Sequence, residues 1–246
     1  MPERAPIYNP ADDQSQYLDH LTRYQFASRY VEGKRVLDLA CGTGYGSKQL
    51  FAKGNARYVL GLDVSREAIA GMAHFTVANS VNFALAAAER LPVRANSFDA
   101  VVSLETIEHL RDPRPYLEEL NRILCPSGTA IISTPINNGP SRVRPQNPFH
   151  VREFSEQEFR SLMDAHFASV EIWSQVNDTR DDLCGPVVTG TLERVRLKDW
   201  LRRVTPIPIK RKLRAVFGFK GRYAVASSIV KGRAEGAVVQ IALCTR

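Results

Sequence analysis

Two groups of residues in this 246-residue chain have the types and spacing to do chemistry. The first is Val36 to Gly46, VLDLACGTGYG, a Gly-rich turn that follows a short apolar run. Small residues such as Ala40, Gly42 and Gly44 let the backbone turn sharply and approach a ligand closely, leaving free amides at the start of the next helix. A small anionic or zwitterionic ligand fits such a turn. Taken alone, the turn serves a dinucleotide equally well, or is simply tight. Asp63 lies about 20 residues on, at the end of the next apolar run, where a carboxylate can accept both hydroxyls of a ribose or cap the following helix. Asp38 precedes the turn, a place where nicotinamide-binding folds rarely put an acid; it can orient the turn or meet an ammonium group. The second group is Glu105-Thr-Ile-Glu108-His109. In a helix, its i, i+3 and i+4 spacing puts both glutamates and the histidine on one face, as three potential ligands. His109 can instead act alone as a general base, or the segment can be a solvated helix start. Downstream, Asn147-Pro-Phe-His150-Val-Arg-Glu-Phe154 carries another histidine, and Ser155 with Glu158 reads as a capping box.

The elements that must position these groups are legible in outline. Gln16 to Val31 has helical apolar spacing and stops at Glu32-Gly33. Strands are predicted at Arg35–Leu39, at Tyr58–Leu62 ending on Asp63, at Val81–Ala84, Asp99–Leu104 and Gly128–Ser133, at Ser169–Gln175, and at Gly236–Leu243. Between them, helices are predicted at Ser47–Lys53, from the Ser65 cap through Ala73, at Pro113–Ile123 and at Glu156–Ala165. Alternating β and α units of this length make an α/β protein: seven strands in a mostly parallel sheet, helices on both faces, ligands at the carboxyl ends of the strands.

The segments VLDLACGTGYGS, GLDVS, AERLPVRANSFDAVVSLETIEHL and LNRILCPSGTAIISTP, in this order, resemble the successive motifs of class I S-adenosylmethionine-dependent methyltransferases over about residues 16 to 175. The resemblance implies a Rossmann-like sheet and S-adenosylmethionine as cofactor. It puts Gly42 and Gly44 by the methionine portion, Asp63 on the ribose, and Ala88 with Glu89 at the adenine edge. Tyr24 covers the cofactor, and Asp38, Ala40, Val64 and Leu104 complete its lining. Where many relatives carry Asp before the Ala-Glu pair, this chain has Ala87, which leaves that adenine contact to the backbone. The Glu-x-x-Glu-His motif resembles the magnesium-binding motif of ubiquinone-pathway and small-RNA terminal O-methyltransferases. By that likeness, Glu105, Glu108, His109 and His150 would hold Mg²⁺ or another divalent cation, with His109, Glu108 and His150 as the catalytic groups. The wording NPFHVREFS resembles bacterial enzymes of sugar and cell-envelope biosynthesis. It implies O-methylation of a sugar or glycolipid hydroxyl, the rivals being a quinone-type phenol, an RNA ribose, or a cofactor-binding module without activity.

Charge divides the chain into two parts. From Arg194 to Arg233 there are thirteen Lys or Arg and one acid, Asp199, a formal +12, whereas the remainder carries −5. Residues 1–175 and 234–246 are therefore expected to form the catalytic core, and residues 176–233 a basic cap or arm inserted before the last strand. Arm residues Leu213, Val216 and Phe217 can form a short apolar face, which suits peripheral contact with an anionic membrane or a lipid-linked saccharide; few interleaved aromatics favour nucleic acid less. No apolar run approaches a membrane span, and no signal peptide is legible at Met1, so a cytoplasmic protein is expected, peripheral at most on the inner membrane face. The scattered cysteines read as reduced, mostly buried thiols. Oligomeric state has no signature in the sequence.

Overall fold

The structure, a computed structural model, describes residues 14–72, 80–137, 147–177, 227–234 and 237–246. Its strands are β1 (Arg35–Leu39), β2 (Tyr58–Asp63), β3 (Val81–Leu85), β4 (Phe98–Leu104), β5 (Leu124–Pro135), β6 (Ser169–Asn177), β7 (Ser227–Lys231) and β8 (Ala237–Thr245). They form one sheet in the order β3-β2-β1-β4-β5-β8-β6-β7. The first five are parallel; β8 runs antiparallel to β5 and β6, and β7 antiparallel to β6.

The central strands carry apolar runs because helices cover both faces. On one face α1 (Gln14–Ala27) and α2 (Tyr45–Ala52) place Tyr24, Phe26, Ala27 and Leu50 against Val36, Val59, Val102, Ile131 and Ile241. On the other, α4 (Arg114–Ile123) and α5 (Glu156–Asp164) place Tyr116, Leu117, Leu120, Phe159 and Met163 against Leu37, Leu39, Val101 and Ile132. The short α3 (Arg66–Met72) follows β2. After β3 the chain returns to lay β4 beside β1, so the strand order reverses there and a crevice opens beyond the carboxyl ends of β1 and β4.

The sheet has eight strands where the sequence reading counts seven. The additional one, Ser227–Lys231, falls inside the stretch assigned to the basic arm. Its Ile229 is buried against the α1 face, a placement masked in the sequence by the surrounding lysines and arginines. Residues 178–226, which hold the rest of that arm, lie outside the described residues. No helix among the described residues is long and apolar enough to cross a membrane. Cys41 and Cys244 are buried free thiols and Cys125 is half-buried, as the sequence suggested; Cys184 lies outside the described residues.

Candidate active site

The Gly-rich turn lies at the carboxyl end of β1. Ala40, Gly42 and Gly44 all adopt positive φ (60°, 52° and 69°), so the chain turns sharply before α2 begins at Tyr45. The two glycines serve different ends. A Cβ on Gly44 would sit 2.2 Å from Sδ of Met72 and 2.8 Å from the Phe83 ring, whereas one on Gly42 would meet nothing within 4 Å. Gly44 is thus demanded by packing, and Gly42 leaves an open approach.

Asp38 is completely buried beneath the turn. Its Oδ1 accepts from the Tyr24 hydroxyl at 3.0 Å and its Oδ2 from Ser47 at 2.5 Å. Burial pushes its carboxyl up to about 7, against the two hydrogen bonds that favour the charged form. Of the two roles open to Asp38, the geometry assigns the first: it ties α1, β1 and α2 together under the turn. Tyr24 is a partner in that task. Its ring packs over Gly46 and is buried, so it supports the turn.

Asp63 ends β2. Its Oδ2 accepts from the Gly42 amide and its Oδ1 from the Ser65 amide, each at 2.8 Å. The carboxylate therefore bridges the turn and the next helix start, with lone pairs remaining on each oxygen for ligand hydroxyls. Val64 is 50% exposed, and so is Leu85 at 40%, which pairs in register with Asp63 at the end of β3. Beside them Ala88 and Glu89 occupy the turn closed by Ala87 and Arg90. An apolar, flat ligand portion beside a ribose would cover Val64 and Leu85; the sequence reading ended β3 one residue early and missed Leu85.

Beyond β4, Leu104 is buried and Glu105 takes a positive φ of 53°. That residue breaks the expected helix: only Ile107–His109 form a single 3₁₀ turn. Glu105 is consequently directed elsewhere, its Oε1 accepting from Ser133 Oγ at 2.8 Å. Glu108, His109 and His150 do come together, one ligand atom from each lying within 4.8 Å of the others. Glu105 is not part of that group, a correction to the four-ligand set.

Glu108 is fully buried. Its Oε2 accepts from Thr134 at 3.2 Å while Oε1 has no partner, and burial pushes its carboxyl well up, with Glu105 adding repulsion. His109 Nδ1 lies 2.9 Å from the Phe149 carbonyl, which can only accept; Nδ1 therefore carries the proton and Nε2 keeps its lone pair. Burial also lowers its pKa, so it is neutral at pH 7. His150 Nδ1 faces Glu153 at 2.8 Å, and Nε2 faces the Asn147 amide nitrogen at 2.9 Å, the Asn147 oxygen being taken by the Phe149 amide. The rings of His109 and His150 meet edge to face at 5.1 Å. An orphaned buried carboxylate oxygen and two imidazole lone pairs fit a divalent cation, provided Asn147 releases His150.

Comparison with known proteins bears on the fold that carries this site. Residues 37–132 match the family described as a methyltransferase domain. Over those residues the chain is similar to methyltransferases. A protein of Mycolicibacterium smegmatis named a probable S-adenosylmethionine-dependent methyltransferase is 34% identical over 164 residues, which is 65% of this chain and 62% of that protein. A ubiquinone biosynthesis O-methyltransferase of Paraburkholderia phymatum is 35% identical over 108 residues, 43% of this chain and 46% of that one. The chain thus spans less than two thirds of the length of either relative. A solved S-adenosylmethionine-dependent methyltransferase from Thermotoga maritima shares the fold, with a TM-score of 0.61 over 95% of this chain and 94% of its own, at 18% identity.

The site also uses residues that the sequence reading missed. Ser47, Ser133 and Thr134 hold Asp38, Glu105 and Glu108. Ser and Thr at the ends of elements are too common to flag such a role without the fold. Glu153, by contrast, stood three residues after His150 in the quoted motif, a spacing at which side chains can meet.

Proposed function

We propose that the protein is an S-adenosylmethionine-dependent O-methyltransferase, and that its acceptor is a sugar or glycolipid hydroxyl. The observation that carries the O-transfer reading is the Glu108–His109–His150 group, one strand away from the cofactor turn. Methyl transfer from a sulfonium is an in-line displacement without a covalent enzyme intermediate; the protein aligns the nucleophile and helps remove its proton. Asp38, Tyr24 and Ser47 hold the turn in shape, and Asp63 offers lone pairs to the ribose. The Phe149 carbonyl keeps the His109 proton on Nδ1, which leaves the Nε2 lone pair to ligate a cation or, without one, to accept the acceptor's proton. Glu108, His109 and His150 would hold the divalent cation, which when bound lowers the pKa of the acceptor hydroxyl.

A phenol acceptor is the second reading, supported by relatives named for ubiquinone biosynthesis. Sugar, quinone-type phenol and RNA acceptors, assayed with methyl-labelled cofactor, decide between them. Label on a saccharide hydroxyl is expected; label on a phenol alone replaces the acceptor class. Chelation is expected to abolish turnover and magnesium to restore it, while chelator-insensitive turnover would leave His109 as an unaided base.

A further inference from the structure

The loop from Ala86 to Ser97, between β3 and β4, borders the Asp63 side of the site and contains no helix or strand. Its first half makes the turn in which the Arg90 amide donates to the Ala87 carbonyl, beside the exposed Val64 and Leu85. The side chains along that turn are Ala86, Ala87 and Ala88, methyl groups that neither donate nor accept, and an exposed Glu89. A flat ring lying on Val64 and Leu85 would therefore present its polar edge mainly to main-chain groups. The amides of Ala88 and Glu89 have no hydrogen-bond partner among the described residues. Main-chain donors are only as well placed as the loop that carries them.

That loop is held from α4. Glu119 Oε2 accepts from the Leu91 amide at 2.7 Å. Arg122 donates from Nη2 to the Leu91 carbonyl at 3.1 Å and from Nη1 to the Val93 carbonyl at 2.9 Å. The two side chains also bind each other, Nε to Oε1 at 2.6 Å and Nη2 to Oε2 at 2.8 Å. Further along, the Asn96 amide donates to the Arg122 carbonyl and the Ser97 amide to that of Ile123. The hydrogen bond from Arg122 holds the Glu119 carboxyl below its usual range, so the pair is charged at neutral pH. Stabilising the helix does not explain this arrangement. α4 is already seated by Tyr116, Leu117, Leu120 and Ile123, and a partly exposed i, i+3 pair adds little to a helix. What the pair supplies is three charge-assisted hydrogen bonds to a segment 28 to 31 residues away.

We propose that Glu119 and Arg122 are positioning residues for the cofactor's nucleobase: from α4 they set the main chain that meets its polar edge. Both act through Leu91 and Val93 rather than by contact with the ligand. With no polar side chain among the three alanines to read the base, its recognition depends on how rigidly this pair holds the turn. The inference rests on the methyltransferase reading and adds to it a residue pair outside the pocket.

The test is calorimetry on the full chain with S-adenosylhomocysteine and S-inosylhomocysteine. These differ only at the ring edge, where inosine carries an N–H and a carbonyl in place of an acceptor nitrogen and an amino group. The wild type is expected to prefer S-adenosylhomocysteine about tenfold or more. Arg122→Ala and Glu119→Ala should each reduce that preference to about threefold or less. Arg122→Lys, which keeps the charge but cannot bridge Glu119 and two carbonyls, should fall between. A role in stability alone would lower the unfolding midpoint of the variants and leave the ratio of affinities unchanged. Should the alanine variants fail to fold, Arg122→Lys decides. Equal binding of both ligands by the wild type, or an unchanged ratio in any variant that folds, overturns the proposal. Failure of the wild type to bind S-adenosylhomocysteine refutes the methyltransferase reading instead.

Discussion

Asp38 is a buried carboxyl whose pKa is raised in the folded protein from an ordinary 3.8 to about 7. The folded state therefore binds this proton more tightly than the unfolded chain does. The stability it contributes is complete below about pH 4 and is lost as pH rises toward 7, by roughly 4 kcal/mol at most. Denaturant unfolding of the cofactor-free protein between pH 5 and 8 should show this fall, and Asp38→Asn should flatten it; an unchanged slope in the variant would assign it to other groups. In the proposed function His109 matters for rate rather than stability. Replacing it with Gln should lower kcat about 100-fold or more while cofactor affinity stays within about twofold, measured on the acceptor that the screen identifies. Asp38, Gly42 and Asp63 were legible in the sequence because one continuous strand-turn-helix segment and the next strand end define them. Ser133 and Thr134 were not, because 28 and 26 residues separate them from Glu105 and Glu108, partners that only the sheet brings together.

At the scale of elements, the two glycines of the Gly-rich turn are separable. Gly44→Ala forces a Cβ into Met72 and Phe83 at φ 69° and should destabilise the fold by about 1 to 3 kcal/mol. Gly42→Ala meets open space, so denaturant unfolding should register only backbone strain, about 1 kcal/mol, while calorimetry should register most of the loss in cofactor affinity. The capping box is equally specific. Ser155 accepts from the Glu158 amide and Glu158 returns the bond to the Ser155 amide at 2.9 Å, just beyond the loop that bears His150. Ser155→Ala should cost about 1 kcal/mol in the same unfolding measurement. This box was legible from spacing alone. The helix expected at Glu105 was not real, because Glu105 turns to positive φ where its carboxylate meets Ser133, a tertiary contact with no sequence period.

Across the whole molecule, the strand order sets β1 beside β4, so the Gly-rich turn and the Glu108–His109–His150 group lie beyond the carboxyl ends of neighbouring strands. The parallel half of that sheet followed from the alternation of strands and helices. The antiparallel β8-β6-β7 half did not, since β7 is a five-residue strand within a cationic run. That run, +12 between Arg194 and Arg233 against −5 elsewhere, supports the proposal of peripheral membrane contact. Reversing Lys210, Arg211 and Lys212 together should weaken cosedimentation with phosphatidylserine vesicles about tenfold or more; unchanged cosedimentation would return the segment to a solvated basic cap. The central claim, a methyl-donor site between the Gly-rich turn and Asp63, is tested most directly by titrating S-adenosylmethionine into the wild-type protein and Asp63→Ala in a calorimeter. Saturable one-to-one binding by the wild type, weakened about tenfold or more in the variant, is the expected result. An absence of binding by the wild type at millimolar cofactor would contradict it.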